Sequence, residues 1–247
     1  MKQLERLCHC GLDPQSPERV PNVGRQGDVE QGIAGQARND RLFKLITMTT
    51  LLSSAYLAPI DYYVQFNRAS SVIVEGWDNY VKQTFRNRCV IATANGLQTL
   101  SIPIEKPGTA KCLTRDIRIA EHGNWRNLHW NAIVSAYRSS PFFDYYEDDF
   151  RPFYATRQGF LVDFNEQLQQ LVCSLLGIEP KITHSSEYLT ATPSTIDLRE
   201  AIHPKKPPVN AIFTPYYQVF ATRYGFQPNL SIIDLLFNMG NEAVLFL

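Results

Sequence analysis

The feature that most constrains this chain is a pair of β-prone runs set around an Asn-Gly step. Residues 89–94 and 97–104 flank Asn95-Gly96, and Asn-Gly is the pair that best accepts the positive φ angles of a two-residue type I′ turn. A hairpin is therefore expected, its second arm ending near Pro103, which has no N–H to give to a ladder. A lone hairpin is marginal in water, so the rest of the chain must supply a face for it. Residues 49–54 are apolar and hydroxyl-bearing, Pro59 stops them, and Ile60, Tyr63, Val64 and Asn67 then recur at helical spacing. The run SVIVE at 71–75 reads as a second strand, and residues 114–120, where Ile117 and Ile119 alternate with charges, as another.

The middle of the chain has a helical period. Trp125, Leu128, Ala132, Ala136 and Tyr137 fall near one helix face, with Asn124 as a candidate N-cap. Ser140-Pro141 restarts a helix through FFDYYEDDF. Asp163 with Glu166 reads as a capping box, Phe164, Leu168, Leu171, Val172 and Leu175 form a stripe, and Gly177 ends it. A short strand at 181–184 and a last helix at 231–238 follow. Strands alternating with helices give an α/β fold, expected as a single domain over 48–247 with a mixed sheet that includes the Asn-Gly hairpin, flanked by helices and helical toward its C-terminal part.

Residues 1–47 read differently. Of 29 aromatics in the chain, Phe43 alone lies there, and five glycines are scattered with no apolar period, so this stretch has almost nothing with which to build a core. It is expected to be a disordered extension, with Met48 as the native start. Cys8, His9 and Cys10 are too close together, and lack a second pair, to make a four-coordinate metal site. No metal is expected.

Charge narrows the partners. The chain has 24 Lys plus Arg against 24 Asp plus Glu, so no global field draws it to nucleic acid. Five cysteines without a CxxC pair suit a reducing, cytoplasmic setting. The uncharged run 45–60 is shorter than the roughly 20 apolar residues of a bilayer span. No Walker loop, GxGxxG, GxSxG or HExxH is present, and no cofactor is called for.

Two polar clusters remain. Residues 80–88, YVKQTFRNR, would place Lys82, Arg86 and Arg88 on one side if extended, with Tyr80 and Asn87 beside them. Three cations on one face suit a phosphate or carboxylate, and equally a solvated edge that deters aggregation. The second cluster is EHGNW at 121–125 with His129 in the helix beyond. His122 or His129 would manage a proton near neutral pH, Asn124 would orient a ligand or cap the helix, and His129 between Leu128 and Trp130 equally reads as a packed, hydrogen-bonded side chain. Glu147-Asp148-Asp149 reads as a solvated helix face.

Four segments together resemble the WbqC-like family: SSAYLAPIDYYVQF, NYVKQTFRNRCVIATANGLQTLSIPIE, HGNWRNLHWNAIVSAYRSSPFFDYY and FQPNLSIIDLLFNMG. The family pattern falls on Tyr80, Lys82, Asn87, Arg88 and His129, and on Pro228, Leu230, Ser231, Asp234 and Leu235. The chain departs from it at Ser54-Ala55, Asp61 and Gly76-Trp77. The resemblance implies a cytoplasmic protein of surface-polysaccharide (O-antigen-type) biosynthesis, for which glycyl or other acyl transfer to a sugar precursor has been suggested. The expected substrate is a phosphorylated or nucleotide-linked small molecule. The alternatives are a non-catalytic binding or scaffold protein of the same pathway, and nucleotidyl transfer. The oligomeric state is left open.

Overall fold

The computed structural model describes residues 48–108 and 111–247; residues 1–47, with the Cys8–His9–Cys10 cluster and the expected extension, lie outside the described residues. Four strands form a parallel sheet in the order β5-β2-β1-β6. These are β1 (Thr49–Ser53), β2 (Ser71–Glu75), β5 (Ile182–His184) and β6 (Thr195–Asp197). Helix α1 (Ile60–Arg68) is the crossover between β1 and β2, which pair in register from Thr49↔Ser71 to Ser53↔Glu75. Leu51 and Leu52, on opposite faces of β1, are both buried, as expected of a central strand covered on two sides.

The hairpin is present as β3 (Arg88–Thr93) and β4 (Gly96–Ser101), but it forms its own two-stranded sheet. Its turn also differs from expectation. Thr93 pairs with Gly96, so Ala94-Asn95 is the two-residue tip, and Gly96, at φ +100°, carries the positive angle. Only one residue then needs a left-handed backbone, and the Thr93 hydroxyl closes the turn by donating to the Gly96 carbonyl at 2.8 Å.

Residues 114–120 keep the expected alternation without a ladder. A 3-10 turn at Thr114–Asp116 replaces the strand's start, and single bridges join Arg118 to Phe160 and Ile119 to Ile104. Ile117 and Ile119 are buried all the same. Helix α2 spans Trp125–Tyr137 and α3 spans Phe143–Ala155. On α2 the buried face runs through Trp125, His129, Ile133 and Ala136, and Leu128 is exposed. Asn124 stands at the N-cap with φ +49° and makes no capping bond; its Oδ1 accepts from Asn127 instead. Helix α4 (Leu161–Leu176) begins before the expected capping box, with Phe160 as N-cap and Asp163 already inside the first turn. Its buried stripe includes Phe164, Leu168 and Val172, and Gly177 at φ +66° ends it.

After the four-residue α5 (Ala221–Tyr224) comes α6 (Ile232–Met239), buried on every side from Ile232 to Asn238. Much of the molecule docks on it: Ile60 N–H donates to Leu230, Ser231 N–H to Val90 and Phe142 N–H to Phe237. Its one carboxylate, Asp234, accepts from Tyr137, Tyr216 and Gln218 at 3.0, 2.5 and 2.9 Å. Burial raises the Asp234 pKa, and those donors oppose the rise.

Candidate functional site

All four parallel strands deliver their carboxyl ends to one edge, where open α/β sheets place ligands. There the apolar runs give way to Ser53 at the end of β1 and Ser54 after it, Glu75 at the end of β2, His184 at the end of β5, and Asp197 at the end of β6 with Arg199 beyond. Two adjoining environments result.

The first is a closed charge network. Residues 82–87 form a series of turns, with Gln83 at φ +61°, and Arg88 opens β3, so the three cations do not share a face. Lys82 is exposed, Arg88 is half-buried on β3, and Arg86 points inward with 2% of its surface exposed. The Arg86 guanidinium pairs with buried Asp78 and donates to Ser53 Oγ at 2.9 Å and Glu200 at 3.4 Å. Thr114 donates to the other Asp78 oxygen at 2.5 Å. Burial pushes the Tyr80 phenol up, while Arg86 and Arg88 pull it part of the way back. Asn87 is buried and donates to the Ile102 carbonyl, stitching the end of the hairpin.

Glu75 is the keel of this edge. Fully buried, it accepts from Trp77 N–H, Ser185 Oγ, Leu189 N–H and Arg199 at 2.8, 2.6, 3.0 and 3.2 Å. Arg199 also grips Asp197, and that contact holds the Asp197 carboxyl below the usual range. The buried Arg86 Nε–H finds no acceptor, but the space beside Arg86 and Arg199 is about 10 Å3. That volume fits about one water. Both guanidiniums are neutralised by carboxylates, so this network holds the edge together rather than receiving a substrate.

The second environment is an open cleft of about 360 Å3 at the ends of β2 and β5, inside the size range of small-molecule sites. Val74, Trp77, Phe160 and Val162 form its apolar wall, and Arg115, Asp116, Asp163, Glu166, His184 and Ser185 its polar one. Arg115 lies 4.1 Å over the Trp77 ring, and Trp77 Nε1 is tied to the Ser185 carbonyl at 2.9 Å. His184 Nε2 sits 3.1 Å from Glu166 Oε1. A carboxylate on one ring nitrogen orients the ring and, in a neutral imidazole, leaves the other nitrogen as acceptor. Among the described residues no group of three or more His, Cys, Asp or Glu is arranged to hold a metal.

The expected histidines lie elsewhere. His129 is buried in the core, its Nδ1 3.1 Å from the Tyr56 hydroxyl, which meets Tyr154 at 2.7 Å. Burial lowers its pKa to about 4, and a hydrogen bond to the Ser101 backbone opposes this only in part. Such a ring is neutral at pH 7 and has both nitrogens occupied. His122 is exposed beside Glu121, which makes a bidentate pair with Arg126 at 2.5 and 2.8 Å. Neither histidine, nor Asn124, lines the cleft. The cleft residues were missed because they come from four distant segments. The one local signal is a polar residue closing an apolar strand, at Glu75 and His184.

Comparison with known proteins agrees with the sequence resemblance: the profile of the WbqC-like protein family matches residues 54–205. The chain belongs to the WbqC-like family. It is also 25% identical over 221 residues to the uncharacterized protein Rv1507c of Mycobacterium tuberculosis, covering 78% of this chain and 94% of that one. No solved structure matches. The match begins just after β1 and runs past β6, so the cleft and the charge network, apart from Ser53 at the end of β1, fall within the family region. No helix among the described residues is long and apolar enough to cross a membrane.

Proposed function

We propose that this WbqC-like protein is a cytoplasmic transferase of surface-polysaccharide biosynthesis, and that the carboxyl edge of its parallel sheet holds an activated, phosphorylated or nucleotide-linked precursor. The observation that carries this reading is the carboxyl edge itself, where α/β folds bind substrates, with an open cleft at its β2 and β5 end. A basic rim borders the same edge. Lys205 Nζ reaches Gln83, next to Lys82, at 2.8 Å, and Lys206 reaches the Glu200 carbonyl at 2.6 Å. Exposed lysines of this kind meet a phosphoryl group as point charges. Arg86 and Arg88 stand behind them and shape the rim.

The test is thermal stabilisation of the full chain by nucleotide sugars, free nucleotides and aminoacyl donors. A ligand at about 100 times its Kd adds about 2.7 kcal/mol. Stabilisation by a nucleotide-linked compound, lost in Lys82→Ala and Lys205→Ala, and turnover of that compound would support the transferase. Stabilisation without turnover would favour the binding-protein reading, which the prior neutralisation of Arg86 and Arg199 also supports. No stabilisation by any phosphorylated compound would reject both.

A further inference from the structure

Resting on that reading only for the role of the bound molecule, we propose that the cleft between β2, β5 and the start of α4 is an acceptor subsite for an uncharged, polyhydroxylated ring, that is, a saccharide. The argument is an accounting of its polar atoms. Glu75 and the Ser185 hydroxyl are consumed within the edge, and Arg115 lies over the Trp77 face with its Nε 3.5 Å from Asp116, its terminal N–H groups left open. Beside that one guanidinium, acceptors predominate: the Asp163 carboxylate, which has no protein partner among the described residues, the second oxygen of Glu166, and the second nitrogen of His184. A matching ligand must bring mostly donors. It cannot be a phosphate ester seated by that group, which would meet Asp116, Asp163 and Glu166 against a single guanidinium.

Asp163 and Glu166 stand one helical turn apart, where side chains are neighbours, and both line the cleft. Val74, Phe160 and Val162 add apolar surface to the same cleft. A sugar ring has this same division, with hydroxyls around its rim and C–H groups on its face. Vicinal hydroxyls would donate to Asp163 and Glu166, and a third to the free nitrogen of His184, which the Glu166 contact holds in place. In a transfer reaction that nitrogen would accept the proton of the acceptor hydroxyl as its oxygen bonds to the transferred group, while the bond from that group to its phosphate or nucleotide carrier breaks and the carrier leaves as an anion.

The experiment is saturation-transfer NMR on the full chain with glucose, galactose, mannose, glucosamine and glucose 1-phosphate as probes. At least one neutral hexose is expected to bind in the millimolar range, glucose 1-phosphate at least about tenfold more weakly, and Asp163→Asn and His184→Gln to weaken the hexose about tenfold each. Asp148→Asn on the exposed face of α3 serves as the control and should change nothing. The proposal is overturned if no hexose binds at about 100 mM, or if the phosphate ester binds as well as the hexose. It also falls if glucosamine binds about tenfold more tightly than glucose, which would mean recognition of an ammonium, or if binding survives both substitutions. Hexose binding without any response to nucleotide-linked compounds would keep the subsite and remove the transferase.

Discussion

Arg86 and His184 stand at the same edge of one sheet, and each faces a carboxylate, yet the two pairs are held in opposite ways. Arg86 is sealed beneath the loops with Asp78, Ser53 and Thr114 around the ion pair, beside a space for about one water. His184 and Glu166 border a cleft of about 360 Å3, with their side chains 44% and 33% exposed. The difference teaches that charge at a strand end is not yet a site. A buried pair with every strong partner supplied by the protein defines the shape of an edge, whereas a pair that leaves acceptors facing open volume is available to a ligand.

The largest effect that would sharpen this contrast is the loss of Arg86. Arg86→Ala leaves Asp78 buried and unpaired, and stability in urea should fall by about 3–5 kcal/mol. Arg86→Met combined with Asp78→Leu should recover most of it, since a buried pair removed together costs far less than one partner removed alone. A single mutant within about 1 kcal/mol of the parent would break the comparison and return Arg86 to the list of ligand groups.

Next comes the contrast between His129 and His184. The folded protein keeps His129 neutral, with a pKa lowered from 6.5 to about 4, whereas the unfolded chain protonates it near 6.5. The unfolded state therefore binds more protons between those values, and stability contributed at neutral pH is lost as pH falls from 6.5 toward 4. At 1.36 kcal/mol per unit the loss amounts to about 3 kcal/mol. Asp61 and Asp234 have raised values and act with the opposite sign, but they are common to the parent and to His129→Gln. The difference between the two proteins, measured by urea unfolding at a series of pH values, isolates the histidine; a parallel pair of curves would show that His129 is not held neutral.

His184→Gln should change stability by no more than about 0.5 kcal/mol, as for other exposed pairs. A loss near 2 kcal/mol would mean that the pair anchors β5 to α4 and has the same structural task as Arg86 with Asp78. Smallest of all is the expected effect of beginning the chain at Met48, with a melting temperature within about 2 °C of the full chain; a larger drop would show that residues 1–47 contribute to the core.

Much of the fold was legible because its signals are local. The Asn95-Gly96 step marked the hairpin, the stripe from Phe164 to Val172 marked α4, and SVIVE marked β2. The turn type escaped because Asn-Gly suits both a type I′ pair and a tip followed by a left-handed glycine, and the choice depends on register. The candidate site was far less legible. Reading 80–88 as extended assumed a period of 2, but turns at Lys82–Gln83 and Phe85–Arg86 turn Arg86 inward toward Asp78. Arg199 finds Glu75 across 124 positions of sequence, and the cleft draws on residues from 74 to 185. No spacing rule reaches that far. His129 resembled a proton carrier because its residue type suits the task; its burial, set by the face α2 turns to Tyr56, decides otherwise.

The position of α6 has a consequence for the order of events during synthesis. The loop before α1, strand β3 and the segment opening α3 all rest their backbone on residues 230–237. Those residues leave the ribosome after all three of these elements. Until then Tyr137, Phe143 and Phe150 lack the Phe237 ring on which they pack, so the nascent chain carries exposed aromatic surface until that segment emerges. Domains generally fold as units as they emerge; this one must wait for its axle, and a chaperone that shields apolar segments would meet it as an open shell rather than as a finished half.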